Sequence, residues 1–246
     1  MKKKIVITLN LLIVACTLVG LGIMLDKNGN NGGVLATSGW NNLRYFTVQS
    51  NILCGIVAAI YLVSGFLRGH GKSPASQNVP ASQDIPASQD VPASQHAPAT
   101  KVTPCPAWMM TLKLAATAAV MVTFLVVACF FGPLYGYGKL YLGSNLFFHL
   151  IIPLLGMIEF CLLDGTLPFR NTFPAGSPAL IYGCVYLANI LINGKGEWPN
   201  TNDWYGFMNW GAILAALIFS SIVLTDWGVA CLLRWINHLI NKLSAK

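Results

Sequence analysis

Six stretches of about twenty apolar residues dominate this chain. A run of that length spans the hydrocarbon core of a bilayer as an α-helix, which satisfies its own backbone where no water is present. The stretches cover about residues 5–25, 45–67, 109–131, 145–163, 174–193 and 207–229. Composition agrees: of 246 residues, 55% are hydrophobic and only 9% charged, against roughly 25% charged in an ordinary soluble domain. Mean hydropathy is +0.60. The expected fold class is therefore all-α, a polytopic transmembrane helical bundle of about six spans forming a single membrane domain over 1–246. The opening "MKKKIVITLNLLIVACTLVGLGIML" has the basic start of a signal peptide. Its apolar run exceeds a usual signal core, so it is read as a retained span.

Lysine and arginine placement sets the expected orientation. Lys2, Lys3, Lys4, Arg68, Lys72, Lys101, Arg170, Arg234, Lys242 and Lys246 fall on one side, and Lys27, Arg44, Lys139 and Lys195 on the other. The positive-inside bias puts both termini in the cytoplasm. The expected location is a bacterial plasma membrane. The net charge of +7 does not indicate a nucleic-acid partner, because the cations flank apolar spans and form no basic, aromatic-laced patch.

Between the second and third spans runs "PASQNVPASQDIPASQDVPASQHAPAT", with proline at 74, 80, 86, 92 and 98. A Pro/Ala/Ser/Gln tract has too little apolar surface to fold, so 69–107 is expected to be a disordered hexapeptide-repeat loop. Six of the seven cysteines fall in or beside apolar segments, and none forms a C-x-x-C pair. They read as small apolar packers, with no metal site and no cofactor implied.

The informative residues are the polar ones inside the spans. Thr47, Ser50, Asn51 and Cys54 share one helical face at the head of span two. Such a face is expected to look into the bundle, since polar groups are costly against lipid. An N-cap role for Thr47 and interhelical bonding by Ser50 and Asn51 would serve equally. In span four, Asn145, His149, Ile152 and Gly156 form a stripe, and His149 can exchange a proton near neutral pH. Both spans run in the same direction, so Thr47 and His149 are expected at similar depth near the outer interface. A hydroxyl and an imidazole at one level can act as nucleophile and base. In span five, Tyr182, Tyr186, Asn189 and Asn193 form a polar stripe, with the asparagines expected to reach that same level. The following "GKGEWPNTNDWYGFMNWG" reads as an aromatic belt or a lid. Glu159 lies about 15 Å along an ideal helix from His149. It is expected to organise the inner half of the bundle, against Lys113. After span six, Arg234, His238 and Lys242 mark a basic amphipathic stretch expected to lie along headgroups.

"RYFTVQSNIL", "FFHLIIPLLGMIE" and "GEWP", in this order, resemble the androgen-induced protein family and its bacterial six-helix membrane relatives. The resemblance implies a multi-helix membrane fold. It also implies the activity of the animal members, intramembrane threonine hydrolases of fatty-acid esters of hydroxy fatty acids. Thr47, after Tyr45 and Phe46, matches the family's nucleophile. His149, followed by Pro153 and Glu159, matches its catalytic histidine, and Gly196, Trp198 and Pro199 are similar to its penultimate-loop motif.

The expected function is hydrolysis of a lipid-like, fatty-acyl ester by Thr47 with His149 as base. Ser50, Asn51, Asn145, Asn189, Asn193 and Trp198 are candidate substrate or oxyanion contacts. The expected partner is a membrane lipid or fatty-acid ester. The rivals are a transporter or channel for a small solute, and a non-enzymatic lipid-binding protein.

Overall fold

A computed structural model describes residues 2–26, 39–70, 105–197 and 201–244. The hexapeptide tract lies outside the described residues, as do Trp198 and Pro199. Six helices are long and apolar enough to cross a membrane, and there is no strand among the described residues. They are α1 (Lys2–Leu25), α2 (Phe46–His70), α3 (Ala107–Tyr135), α4 (Ser144–Leu162), α5 (Phe169–Asn193) and α6 (Ala212–Ser244). The chain is a multi-pass membrane protein.

Four helices form the centre. α1 packs on α2 and α4, and α3 closes the ring by packing on the same two, so α2 and α4 face each other across it. α6 lies along α3 and α4, and α5 packs on α3 and α6. α3 is the most enclosed: every residue from Lys113 to Thr123 is buried. Its "AATAA" run presents so little side chain that neighbours approach from several sides. The other helices turn Leu18, Ile181, Val185, Leu191 and Ile213 outward, as helices facing lipid must.

Two apolar layers fill the interior. One holds Val6, Met110, Leu114, Phe160, Leu163 and Leu233; the other holds Ile13, Val48, Cys54, Val120, Phe148 and Ile152. Gly20 lets α1 close on the second layer, because a Cβ there would lie 2.7 Å from Phe148 Cε1.

Two π turns interrupt the spans, Val127–Phe131 in α3 and Phe147–Ile151 in α4. Each ends two residues before a proline, Pro133 and Pro153. A proline supplies no N–H to the carbonyl four residues back and crowds it with its ring. Those carbonyls belong to Cys129 and His149, the central residues of the two turns. The helix widens instead, and the Ile152 N–H donates to Phe147 O. His149 thus sits in a local irregularity of the kind often found at functional sites.

α6 continues unbroken to Ser244, where the sequence pattern placed a span ending near 229 and a separate surface stretch. His238 and Lys242 are exposed, but Leu233 and Asn237 are buried. Asn237 Nδ2 donates to Phe160 O at 3.0 Å and Leu163 O at 2.9 Å. Asn241 Nδ2 also reaches Leu163 O and Gly165 O. The C-terminal half of α6 therefore supplies side-chain donors to carbonyls at and just beyond the end of α4. A face that carries such buried bonds docks on the bundle, and the side turned away carries His238 and Lys242 together with Leu232, Trp235 and Leu243.

Candidate functional site

α2 begins at Phe46, in a turn set by Asn42 and Tyr45: the N–H groups of Val48 and Gln49 donate to Tyr45 O. The Phe46 N–H donates to Tyr205 Oη at 2.8 Å. The orphan donors of this helix start are thus met from outside Thr47. Thr47 is half-buried, and its Oγ makes no hydrogen bond with any other described residue. Its hydroxyl does not cap the helix.

Ser50 and Asn51 are buried on the same face. Ser50 Oγ donates to Thr47 O at 3.0 Å. Asn51 Nδ2 donates to Thr47 O at 2.7 Å and to Phe148 O, across the ring on α4, at 3.1 Å. One amide nitrogen bonded to both carbonyls holds them within about 6 Å of each other. This bond brings the turn that carries Thr47 against the turn that carries His149. Both Asn51 N–H groups are spent on it, and the Ser50 hydrogen is likewise spent, so neither has a donor left for a substrate oxygen.

His149 is 6% exposed. Its Nδ1 is buried and has no partner among the described residues. In the neutral ring that carries its proton on Nε2, that nitrogen presents a lone pair. Asn145, one turn earlier on α4, is buried with its Nδ2 unpartnered. No hydrogen bond joins Thr47 to His149 among the described residues.

Asn189 and Asn193 are placed elsewhere. They bond to each other at 2.9 Å, and Asn193 is exposed. The residues of α5 that meet the head of α2 are the tyrosines: Tyr182 Oη donates to Arg44 O at 2.7 Å, and its ring lies 5.1 Å from Phe46. Asn189 is seven residues further along α5, about 10 Å by helical rise, and so lies beyond the level of Thr47. The expectation that these asparagines share that level is corrected by this offset.

The aromatic loop packs over the same end. Trp204 Nε1 donates to Tyr182 Oη at 2.9 Å, Tyr186 Oη bonds to Asp203, and Asp203 Oδ2 accepts from the Met208 N–H at 3.0 Å. Tyr45, Tyr182, Tyr186, Tyr205 and Phe207 stack edge to face around it. Burial pushes the Tyr205 hydroxyl well above its ordinary value, so it stays a neutral phenol. Of the belt and lid readings, this packing fits a cover over the α2–α5 end.

Deeper in the ring lies a second polar group. Lys113 Nζ is 3.0 Å from Glu159 Oε1, and the two residues are 3% and 1% exposed. Asn10 Nδ2 donates to the same oxygen at 2.8 Å, Lys113 donates to Asn10 Oδ1, and the Tyr61 ring lies 4.8 Å from Lys113 Nζ. All four central helices contribute. The expected pairing of Glu159 with Lys113 is present; Asn10 and Tyr61 were not singled out from sequence, although Asn10 is the lone amide in "VITLNLLIV". Asp226 is a further buried acid that sequence reading passed over. Its Oδ2 accepts from the Ala179 N–H at 3.4 Å, at the start of the long helical run of α5. No cluster of three metal-ligating side chains occurs among the described residues.

Comparison of the chain with protein-family models, with curated proteins and with solved structures finds no match.

Proposed function

We propose that the protein is an intramembrane hydrolase of a fatty-acyl ester, with Thr47 as nucleophile and His149 as general base. The observation that carries this reading is the Asn51 bond. It draws the Thr47 turn and the His149 turn together while Thr47 Oγ and His149 Nδ1 remain unpartnered. A buried group with a purely structural role is expected to be bonded; His149 Nδ1 is buried and left free, one residue from the Phe148 carbonyl that Asn51 ties to the Thr47 turn. The likeness of "RYFTVQSNIL" and "FFHLIIPLLGMIE" to the androgen-induced protein family supports the same pair.

In this mechanism Thr47 Oγ attacks the ester carbonyl carbon as His149 Nδ1 takes the hydroxyl proton. The tetrahedral intermediate expels the alcohol oxygen, which receives that proton, leaving acyl-Thr47. The half-buried Thr47, near one end of α2, is within reach of an ester whose acyl chain stays in the bilayer.

The test is covalent labelling of the purified protein in detergent by a long-chain fluorophosphonate, with a panel of long-chain esters assayed in parallel. The wild type is expected to label at Thr47 and to hydrolyse at least one ester. Thr47→Ala is expected to abolish both while the protein still folds, and Thr47→Ser to retain part. Unchanged hydrolysis in folded Thr47→Ala would remove the nucleophile and the reading with it. No labelling or hydrolysis in the wild type would move the assignment to solute transport, measured as flux into proteoliposomes.

A further inference from the structure

Five buried side-chain atoms have no hydrogen-bond partner among the described residues: Arg44 Nε, Asn51 Oδ1, Asn145 Nδ2, His149 Nδ1 and Asp226 Oδ1. Arg44 lies in the aromatic cover, its guanidinium against Tyr45 and Trp204. Asp226 faces the start of the long run of α5. The other three gather around a single turn of α4. Asn145 and His149 are four residues apart, which puts them about 6 Å from each other on one helix. The Asn51 amide is anchored on the carbonyl of Phe148, the residue next to His149.

The hydrogen-bonding sense of each atom follows from its chemistry. Asn51 Nδ2 donates to two carbonyls; a flipped amide would set Oδ1 against both oxygens, so Oδ1 is an acceptor. His149 Nδ1, as the general base of the proposed reaction, is an acceptor. Asn145 Nδ2 can only donate. Two acceptors and one donor are the complement of one water molecule, which gives two hydrogen bonds and accepts one. Buried waters typically make about three such bonds.

We infer that Asn51 Oδ1, Asn145 Nδ2 and His149 Nδ1 hold one water molecule, and that this is the water that hydrolyses acyl-Thr47. The inference rests on the reading of Thr47 as nucleophile. The water oxygen forms a bond to the acyl carbon and passes a proton to His149 Nδ1. The bond from that carbon to Thr47 Oγ breaks, Thr47 Oγ takes the proton from His149, and a carboxylic acid leaves. The leaving alcohol of the first step and the water of the second use the same base, so they occupy the same place in turn. Asn145 orients the lone pair that attacks. Asn51 keeps the water beside His149 and spends its own N–H groups on the scaffold.

Asn145→Leu, which fills the volume without a donor, separates the two steps. The full chain in detergent is mixed with a 4-nitrophenyl decanoate excess, and intact mass is read on the same samples. The initial burst of 4-nitrophenol is expected to stay within about 3-fold of the wild-type rate. Steady-state turnover is expected to fall about 100-fold, with the mass of a decanoyl adduct on Thr47 accumulating. Hydroxylamine, a nucleophile that does not need the cradle, is expected to release that adduct. Asn145→Ser, a smaller change that keeps a donor, is expected to recover part of the turnover and serves if the leucine variant does not fold. Burst and turnover falling by the same factor would place Asn145 on the acyl oxygen rather than on water and overturn the inference, as would unchanged turnover in both variants. In each of those cases the adduct on Thr47 would still form, so the nucleophile would stand. A wild type with no adduct, or a Thr47→Ala variant that turns over normally, would fail the parent reading and take the water site with it.

Discussion

The central ring holds two polar groups of opposite character. Around Lys113 and Glu159, charge and amide are mutually satisfied: Asn10 bridges the pair, and Tyr61 covers the ammonium group. Around Thr47 and His149, the bonds that exist serve the scaffold, and a hydroxyl, an imidazole nitrogen, an amide oxygen and an amide nitrogen are left over. Both groups are enclosed by apolar side chains, where an unpaired polar atom is costly. A closed network fastens helices together; an open one keeps groups available for something that is bound only during work. On the proposed function, the comparison sets structural polarity against catalytic polarity within one bundle.

The largest effect should follow from removing an open group that does chemistry. Thr47→Ala and His149→Ala are each expected to lower ester hydrolysis by on the order of 1,000-fold or more, with thermal unfolding in detergent little changed. A loss of fold in both would show that the open cluster is structural after all, and the contrast would collapse.

The closed group should respond in the opposite way. Lys113→Met or Glu159→Leu alone leaves a buried charge without its partner, which costs about 3–5 kcal/mol. Each is expected to lower the unfolding temperature sharply. The double variant, which removes both charges and keeps apolar volume, is expected to recover most of that loss. If the single variants were as stable as the wild type but inactive, the pair would belong to the working site and the division drawn here would move.

A smaller effect tests the docked end of α6. Asn237→Ala removes the side-chain bonds to the carbonyls of Phe160 and Leu163, which keep the Leu163 N–H and Asn241 Nδ2 as partners, and is expected to destabilise by about 1–1.5 kcal/mol. Hydrolysis at saturating ester should be unaffected in the folded fraction, because the bond lies near the layer of Phe160 and Leu163, away from Thr47.

The smallest effect concerns the aromatic cover. Tyr205→Phe removes the oxygen that accepts from the Phe46 N–H and should cost about 1 kcal/mol. It also has a pH signature. Burial raises the Tyr205 hydroxyl above its ordinary value of 10.0, so the folded state holds this proton more tightly than the unfolded chain does. The stability from Tyr205 is therefore complete below pH 10 and is lost as pH rises beyond it. Unfolding followed from pH 8 to pH 11 should show a shallower alkaline decline in Tyr205→Phe than in the wild type.

Much of this was legible in the sequence. Six apolar runs in a charge-poor chain fix a helical membrane bundle, because lipid leaves the backbone no other way to bond within one segment. The spacing of Thr47, Ser50, Asn51 and Cys54 fixes a shared face, and a proline at 153 marks where α4 must loosen around His149. Periodicity, however, describes each helix alone. It says which residues share a face, not how far one helix slides against its neighbour. That slide puts Tyr182 rather than Asn189 beside the head of α2. It also closes Asn10, Lys113 and Glu159 into one network across separations of 103 and 149 residues. Only the packed ring decides that Asn51 gives both its hydrogens to carbonyls while Asn145 keeps its own, because hydrogen-bond capacity is used up by neighbours that sequence spacing does not name.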